Sequence, residues 1–425
     1  MSIHKWTTSF VGILKTATFV DTSITTVGTL INGILGGIFY IALARFLGPV
    51  EFGIISVSIL VLTLVADVAD LGLDTSIVRF VGKYKNTDKE KAERFLKLSF
   101  MTFLIVSIVI MIVGVLISEH LSELIFQKAE FAATLRIAFV GVITVLLFSF
   151  VTSTLQAYEK YMVWSSVNIV TNLLRILAVL VLFSVATLTT QNAMFTYILM
   201  PLIGFVGGIL FIPRSFIRVK NTKKVSKELF NYTKWVAGFS AIAAVSSRLD
   251  VLMTARLLST FELGIYAAAA RVTSILPQIV AAFGTAVAPK FASIDTDEKA
   301  KEYTKKLQVF VGVVVFVCLV LLVPVAKLIP VIFGVEYTSS IQPFVILTIA
   351  MLIFLFSVPV HQSIFYYFAY PRIFLWLALI NMIIVLIGGY YAINSFGIMG
   401  AATVVLTAQI VNFIIPLVYV LRKFR

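Results

Sequence analysis

The chain has 425 residues, of which 60% are hydrophobic and only 13% are charged, and its mean hydropathy is +1.04. This composition provides too little polar surface to cover a water-soluble globule, so it excludes a soluble protein and indicates one that crosses a membrane many times. The net charge of +14 is scattered over short loops, which argues against a binding surface for DNA or RNA. No nucleic-acid partner is expected.

Apolar stretches recur in order along the whole chain. A membrane-spanning helix needs roughly 20 predominantly apolar residues. Twelve stretches have this length, at residues 18–44, 53–82, 98–118, 132–156, 161–186, 192–213, 231–255, 263–289, 307–329, 342–368, 372–394 and 397–421. The predicted fold is therefore an all-α polytopic membrane protein with about 12 transmembrane helices.

A loop-to-helix segment occurs twice, 211 residues apart. Cassette 1 is Arg45-Phe-Leu-Gly-Pro-Val-Glu-Phe-Gly-Ile54, cassette 2 is Arg256-Leu-Leu-Ser-Thr-Phe-Glu-Leu-Gly-Ile265, and five of the ten positions are identical. The halves are therefore predicted to be a tandem repeat with six spans each. Because six is even, both halves cross the membrane in the same sense, which predicts two six-helix bundles related by a pseudo-twofold axis along the membrane normal. The expected boundaries are 1–213 for the first bundle, 214–229 for a basic cytoplasmic linker and 230–425 for the second bundle.

The distribution of Lys and Arg predicts the orientation of the chain. With the N-terminus placed inside, 26 of the 34 basic residues fall in cytoplasmic segments and five in outer loops, while Arg175, Arg248 and Arg271 lie within spans. Cytoplasmic loops of membrane proteins carry an excess of Lys and Arg. We therefore expect a multi-pass protein of the cell membrane with both termini in the cytoplasm.

The three arginines within spans are candidates for a binding site, because a charge inside a membrane is costly and usually functional. Arg248 and Arg271 both lie roughly 12–14 Å from the outer surface at 1.5 Å per helical residue. A guanidinium can bind two phosphate oxygens at once, so this pair suits a diphosphate or sugar-phosphate, with Arg175 as a further candidate. The alternative is that Arg248 pairs with an aspartate of another helix and Arg271 extends outward. Asp250 is expected to bond to a neighbouring helix.

Span two carries Asp67, Asp70 and Asp74 at spacings of three and four residues, which places them on one face of a continuous helix. These carboxylates are candidates for holding a coupling Na⁺ or H⁺, or for gating. The alternative is a structural polar network in which Asn32 or Arg79 is the partner, so Asn32 is a candidate as well.

Pro277 and Gln278 interrupt span eight. A proline inside a helix frees a backbone carbonyl and allows a kink that could act as a hinge. Gln278 is therefore a further gating candidate, although packing geometry alone explains the proline equally well.

Several motifs, taken together, resemble the polysaccharide transporter family of O-antigen flippase-like proteins. They are Arg45-Phe-Leu-Gly-Pro-Val-Glu-Phe-Gly53, Ala69-Asp-Leu-Gly-Leu73, Ile77-Val-Arg-Phe-Val81, Asp250, Glu262-Leu-Gly-Ile-Tyr266 and Ala270-Arg271. The family belongs to the multidrug, oligosaccharidyl-lipid and polysaccharide exporter superfamily, and the resemblance covers nearly the whole chain.

The resemblance implies two six-helix bundles that form a V and open alternately to each side. It also implies that the substrate is an undecaprenyl- or dolichyl-linked oligosaccharide, whose head group passes through a central cavity lined by spans one, two, seven and eight. On the matching positions, Arg248, Asp250 and Arg271 would face that cavity. The partners would be this lipid-linked oligosaccharide, membrane lipid and glycan-assembly proteins, and no cofactor is implied beyond a coupling Na⁺ or H⁺.

Two other functions stay open at this point. A multidrug exporter of the same superfamily would favour carboxylates and aromatic rings over intramembrane arginines in its cavity. A membrane-embedded glycan polymerase or ligase would need a sizeable outer loop, whereas the longest one expected here, at residues 118–131, has 14 residues. No Walker loop, nucleophile elbow or His-Glu-x-x-His motif is present. The sequence therefore predicts a transporter rather than an enzyme.

Overall fold

A computed structural model describes residues 17–424 of the chain. Over this range the backbone forms α-helices joined by turns and short 3₁₀ or π-helical segments, and it contains no strand. The helices are α1 (Ala17–Ala69), α2 (Leu73–Tyr84), α3 (Lys89–Leu121), α4 (Ala132–Ala157), α5 (Tyr161–Ser184), α6 (Thr190–Gly208), α7 (Lys223–Ser246), α8 (Leu249–Leu257), α9 (Thr260–Thr273), α10 (Ile275–Ala292), α11 (Asp297–Lys327), α12 (Ile329–Phe333), α13 (Ile341–Gln362), α14 (Arg372–Ile383) and α15 (Gly389–Lys423). The all-α prediction is confirmed.

Nine helices between residues 17 and 424 are long and apolar enough to span a membrane, or ten if α7 and α8, which meet at a bend of 45°, form one broken span. Two of the nine, Ile24–Ala69 with 46 residues and Arg372–Lys423 with 52, have more than twice the length that one crossing requires. Each contains a glycine with non-helical backbone angles, Gly48 in the first and Gly397 in the second. The multi-span fold is thus confirmed, whereas the number of twelve spans stays a prediction.

The contacts within the chain divide it into two compact units. Unit 1 comprises Met1–Leu43 and Ser58–Val245, and unit 2 comprises Ala44–Val57 and Ser246–Arg425. The segment 44–57 therefore belongs with C-terminal residues, and most of α7 belongs with N-terminal ones. These units are a different division of the chain from the two predicted bundles, whose boundaries stay a prediction.

Unit 1 is built around α4, which packs against both α3 and α6. Leu135, Val142 and Phe150 of α4 are fully buried. Within a membrane, close packing rather than the hydrophobic effect holds helices together, and small residues allow it. Gly114 of α3 is one of these, because a Cβ at this position would lie only 2.1 Å from the ring of Phe139.

The segment 44–57 is held in unit 2 by hydrogen bonds to backbone carbonyls. The hydroxyl of the buried Tyr337 donates to the carbonyl of Ala44 at 3.0 Å, and the guanidinium of Arg45 donates to the carbonyl of Val331 at 3.0 Å. The ring of Phe52 meets the ring of Tyr337 edge-on, with 6.2 Å between the centroids. Cassette 1 is thereby fixed within unit 2, which also contains cassette 2.

The two cassettes cross at a pair of equivalent glycines. A Cβ on Gly53 would lie 2.4 Å from the carbonyl oxygen of Thr260, and a Cβ on Gly264 would lie 1.9 Å from the carbonyl oxygen of Pro49. Gly53 and Gly264 are 211 residues apart, and so are Pro49 and Thr260. The contact is therefore reciprocal, as a local twofold axis between the two copies of the repeat requires.

The helix that follows the loop of each cassette begins in a different way in the two copies. In cassette 1, Gly48 has a φ of 76°, a conformation that favours glycine, and Pro49 starts the next helical turn. In cassette 2, the hydroxyl of Ser259 accepts a hydrogen bond from the backbone N–H of Glu262 at 3.3 Å, and the Glu262 carboxylate accepts one from the N–H of Ser259 at 3.0 Å. This capping box satisfies two backbone donors at the start of α9.

Replacing Gly264 by alanine is expected to lower the stability of the purified protein, because the new methyl group would push the two cassettes apart. Overpacking of this kind costs about 1–3 kcal/mol. Gly37→Ala is the matched control, because a Cβ there meets nothing within 4 Å. The midpoint temperature of unfolding in detergent measures both effects, and a Gly264→Ala variant as stable as wild type would contradict the close crossing.

Candidate functional site

Arg175, in the middle of α5, is the centre of a polar cluster in unit 1. Its Nη1 donates a hydrogen bond to Oδ1 of Asn172 at 3.0 Å, and Nδ2 of Asn172 donates to Oδ1 of Asn32 on α1 at 2.9 Å. The guanidinium carbon lies 4.2 Å from the centre of the Tyr197 ring on α6. The cluster therefore links three helices.

The hydrogen bonds of this cluster run in one direction, because an arginine side chain can only donate. Asn172 must turn its oxygen towards Arg175 and its NH₂ group towards Asn32. Nε of Arg175 is buried and has no acceptor among residues 17–424. The cluster thus contains an unsatisfied buried donor.

The positive charge of Arg175 has no carboxylate partner in the described part of the chain, since every ion pair found there involves other residues. Placing an arginine at the centre of a membrane helix costs about 2.5–3.5 kcal/mol on insertion scales. The contact with the Tyr197 ring offsets part of this, since a desolvated cation–π contact contributes about 2 kcal/mol. Both partners are neutral, so the site keeps its charge and favours an anion.

The two partners suggested for the acidic residues of span two are engaged elsewhere. Asn32 bonds to Asn172, and the guanidinium of Arg79 lies over the Tyr232 ring, 4.9 Å from its centre. The alternative in which Asn32 or Arg79 binds the aspartates therefore stays a prediction. Asn32 belongs to the Arg175 cluster.

The predicted stripe of three aspartates on one helical face is wrong, because the helix breaks within it. The first helix ends at Ala69 and α2 begins at Leu73. Between them Leu71 and Gly72 have φ values of 54° and 71°. A left-handed residue after the last helical turn ends many helices, and glycine adopts this conformation most readily. Gly72 was thus the sequence signal for the break.

Only two of the three aspartates are brought together. Asp67 is exposed at the end of α1, whereas Asp70 lies in the break beside Asp74 of α2. One oxygen of Asp70 is buried without a hydrogen-bond partner in residues 17–424. Two adjacent carboxylates repel each other unless a proton or cation lies between them. Within the same residues, no three His, Cys or acidic side chains are grouped closely enough to hold a metal ion.

Span seven breaks at Arg248, the residue that precedes α8. The hydroxyl of Tyr266, a fully buried residue of α9, donates to Oδ2 of Asp250 at 2.8 Å. The expectation that Asp250 bonds to a neighbouring helix is confirmed. This bond fixes the first turn of α8 against α9, next to Arg248.

Span eight is interrupted as well. Arg271 lies in the last turn of α9, which ends at Thr273, and the break is at Ser274. Pro277 explains this position, because a proline has no N–H for the carbonyl four residues earlier and its ring clashes with that carbonyl. Gln278 is exposed. The interruption predicted from Pro277 is present, three residues before the proline itself.

The predicted site residues thus fall into separate groups. Arg248, Asp250 and Arg271 belong to unit 2, whereas Arg175 belongs to unit 1. Their roles in binding stay predictions. Sequence reasoning gave no role to Tyr197 and did not foresee the contact of Tyr266 with Asp250, because neither ring gives a local signal of its contact with a charge on the preceding helix.

The profile of one protein family, described as polysaccharide biosynthesis protein, matches residues 20–295. This match extends over more than half of the chain. The chain belongs to this family. No individual curated protein matches the chain.

Solved structures with a similar fold are membrane transporters. The structure of "Lipid II flippase MurJ, inward closed conformation" matches with a TM-score of 0.75 and 15% identity, over 94% of this chain and 88% of that one. An inward-facing multidrug resistance MATE family transporter of the MOP superfamily matches with a TM-score of 0.71 and 13% identity, over 92% and 94%. A MOP superfamily transporter from Pyrococcus furiosus matches with a TM-score of 0.56 and 13% identity, over 95% and 93%. The fold is therefore that of the MOP superfamily, as the sequence resemblance implied.

Proposed function

We propose that this protein is an alternating-access flippase that moves a polyprenyl-linked oligosaccharide across the cell membrane for the assembly of a surface polysaccharide or glycan. The observation that carries this proposal is the Arg175 cluster, in which an intramembrane cation is oriented by neutral partners. A lipid-linked sugar needs such a site, because its phosphate must cross the hydrocarbon with its charge offset. Membership of a polysaccharide biosynthesis family supports the choice of substrate.

Arg248, Asp250 and Arg271 are proposed to form a substrate-binding group within unit 2. Both arginines lie at or beside helix breaks, where the backbone also offers polar groups. Asp250 would act by fixing the start of α8, because its carboxylate is bound to Tyr266. The partners in this proposal are the lipid-linked oligosaccharide, membrane lipid and the glycan-assembly proteins that use the product.

A multidrug exporter has the same fold, and the MATE transporter matches the chain nearly as well as the flippase does. The Arg175 cluster favours the flippase, because a site with uncompensated positive charge repels a cationic drug and attracts a phosphate. A polymerase or ligase has less support, since the fold neighbours are a flippase and transporters.

Flipping should collapse when the charge of the Arg175 cluster is cancelled in place. Asn172→Asp puts a carboxylate where the amide oxygen now accepts from Arg175. Asn32 can turn its NH₂ group towards the new carboxylate, so both hydrogen bonds are kept while the site becomes neutral. The flipping rate should fall at least about tenfold, since a charge-assisted contact to substrate contributes about 1.5–3 kcal/mol. The rate is measured in liposomes as loss of a fluorescent polyprenyl-linked oligosaccharide accessible to an outside quencher.

Asn168→Asp is the matched control, because Asn168 is one turn away on α5 and bonds to the carbonyl of Trp164 rather than to Arg175. The thermal stability of Asn172→Asp should equal or exceed that of wild type, because the new pair is oppositely charged. The double variant Arg248→Gln/Arg271→Gln should also lose flipping while inserting correctly. An Asn172→Asp protein that flips at the wild-type rate would refute the anion site.

Coupling to Na⁺ or H⁺ is proposed at Asp70 and Asp74, because two adjacent carboxylates bind a proton or cation more readily than one. The double variant Asp70→Asn/Asp74→Asn should flatten the dependence of flipping on pH or Na⁺ in the same liposomes. Glu130→Gln, at an exposed position in an outer turn, is the control for loss of one carboxylate. A double variant that keeps the full ion dependence would exclude this pair, and one that does not fold would make its role structural.

Both termini are proposed to face the cytoplasm, on the basis of the loop charges. In a Cys318→Ser background, which removes the single cysteine, a cysteine at Asn192 should react with an impermeant thiol reagent added outside intact cells. A cysteine at Lys223 should not react until the cells are opened. Labelling of Lys223→Cys from outside would reverse the proposed orientation.

A further inference from the structure

A groove of about 290 Å³ lies in unit 1 where α7 passes α2 and α3. Its apolar lining consists of Leu71, Leu73, Leu98, Leu229, Phe230 and Ala237. The residues from α7 that line it, at positions 226, 229, 230, 233, 234 and 237, recur once per helical turn, so they form one face of that helix. The groove follows this face for about 11 residues, or roughly 16 Å.

Lys234 supplies the charge of this groove. The hydroxyls of Thr102, Ser226 and Thr233, which also line it, each donate to a carbonyl of their own helix. Lys234 is exposed, and none of the ion pairs in residues 17–424 includes it. Its Nζ lies 5.6 Å from the centre of the neighbouring Trp235 ring, a contact that leaves the positive charge unneutralised. The groove therefore combines an apolar floor with one cation.

The groove opens towards lipid at the edge of the membrane. On α3, Lys97 is the last charged residue before the uncharged run 98–118, so Leu98 marks the boundary of the hydrocarbon. Ile105 of α3 and Trp235 and Phe239 of α7, which are close in sequence to lining residues of the groove, are exposed large apolar side chains. Lipid phosphates lie at this level, and lipid chains continue inward from it.

A face of α7 outside the groove packs against α2 and α3 and holds this helix in place. The hydroxyl of Tyr84 donates to Oε1 of Glu228 at 3.2 Å, and Nζ of Lys91 lies 3.0 Å from Oε2 of the same carboxylate. One and two turns further along, Tyr232 lies under Arg79, and Val236 packs over Gly72, where a Cβ would come within 2.5 Å of it. The groove is thus a formed feature of unit 1.

We propose that this groove binds the phosphate-bearing end of the isoprenoid chain of the lipid-linked substrate, with the chain on the leucines and the phosphate on Lys234. This assignment rests on the proposed flippase function and names a docking position for the lipid part of that substrate. The volume equals that of roughly ten water molecules, which admits a stretch of one hydrocarbon chain. A polyprenyl phosphate has one chain, whereas a phospholipid would have to leave its second chain outside.

The test uses undecaprenyl phosphate that carries a diazirine in the isoprene unit next to the phosphate. The full-length protein is placed in phosphatidylcholine nanodiscs and irradiated, and the labelled peptides are identified by mass spectrometry. Label is expected on residues 98–102 of α3 and 229–237 of α7. Lys234→Gln should reduce it about fivefold, the effect of one basic residue near a lipid phosphate. Lys227→Gln, on the same helix but outside the groove, should leave it unchanged.

A second variant tests the groove without changing its charge. Thr102→Trp fills the space beside Leu98 and should remove the label even though Lys234 is present. Lys234→Arg should restore label lost in Lys234→Gln, which separates a charge effect from misfolding. Unlabelled undecaprenyl phosphate should compete with the probe, while phosphatidylglycerol and inorganic phosphate should compete far less.

Label that persists in both Lys234→Gln and Thr102→Trp would overturn the proposal, and so would label found only on other helices. Equal competition by phosphatidylglycerol would also overturn it and make the groove a site for ordinary anionic lipid. The liposome assay separates this result from the proposed function. Flipping by a wild-type protein whose groove takes no label would refute the groove alone, whereas a labelled groove in a protein that flips nothing would refute the flippase function.

Discussion

Hydrocarbon offers no hydrogen-bond partner to a peptide group, and this constraint determines where the chain is regular and where it is not. Over most of its length the backbone satisfies itself as α-helix. It departs from the helix at Gly48, Gly72, Arg248 and Gly397. Such breaks expose backbone N–H and C=O groups whose partial charges can bind polar ligands or ions. Two of these four breaks contain an ionisable residue: Asp70 lies in the break at Gly72, and Arg248 is itself the site of another. Irregular backbone and ionisable side chains therefore occur together at these two points.

Unit 1 contains two different arrangements of charged side chains. Asn172 and Tyr197 orient the guanidinium of Arg175 without neutralising it. Asp70 and Asp74 lie side by side, so their shared negative charge calls for a proton or cation. Neutral partners fix the position of the Arg175 charge while leaving its attraction to an anion intact.

The helical, multi-span fold and the repeat could be predicted because hydropathy and sequence identity are properties of contiguous segments. The site could be predicted only in part. Arg175 and Asp250 stand out as charges in apolar sequence, but the tyrosines that bind them, each on the following helix, resemble any other buried aromatic residue. The prediction of three aspartates on one helical face was wrong for a different reason. It assumed a continuous helix through Leu71 and Gly72, where the backbone is left-handed. The reciprocal contact of Gly53 with Gly264 required three-dimensional information.

That contact has a consequence for how such a chain could arise. Each copy of the cassette presents the same surface to the other, with the glycine of one against a carbonyl of the other. This is the isologous arrangement of a symmetric homodimer, in which one patch is complementary to itself. A half-length ancestor with a single cassette would already carry both sides of the interface. Gene fusion would then join two subunits that were partners beforehand. The glycine kept in both cassettes is what such a patch demands, because a side chain on either glycine would meet a carbonyl of the other cassette.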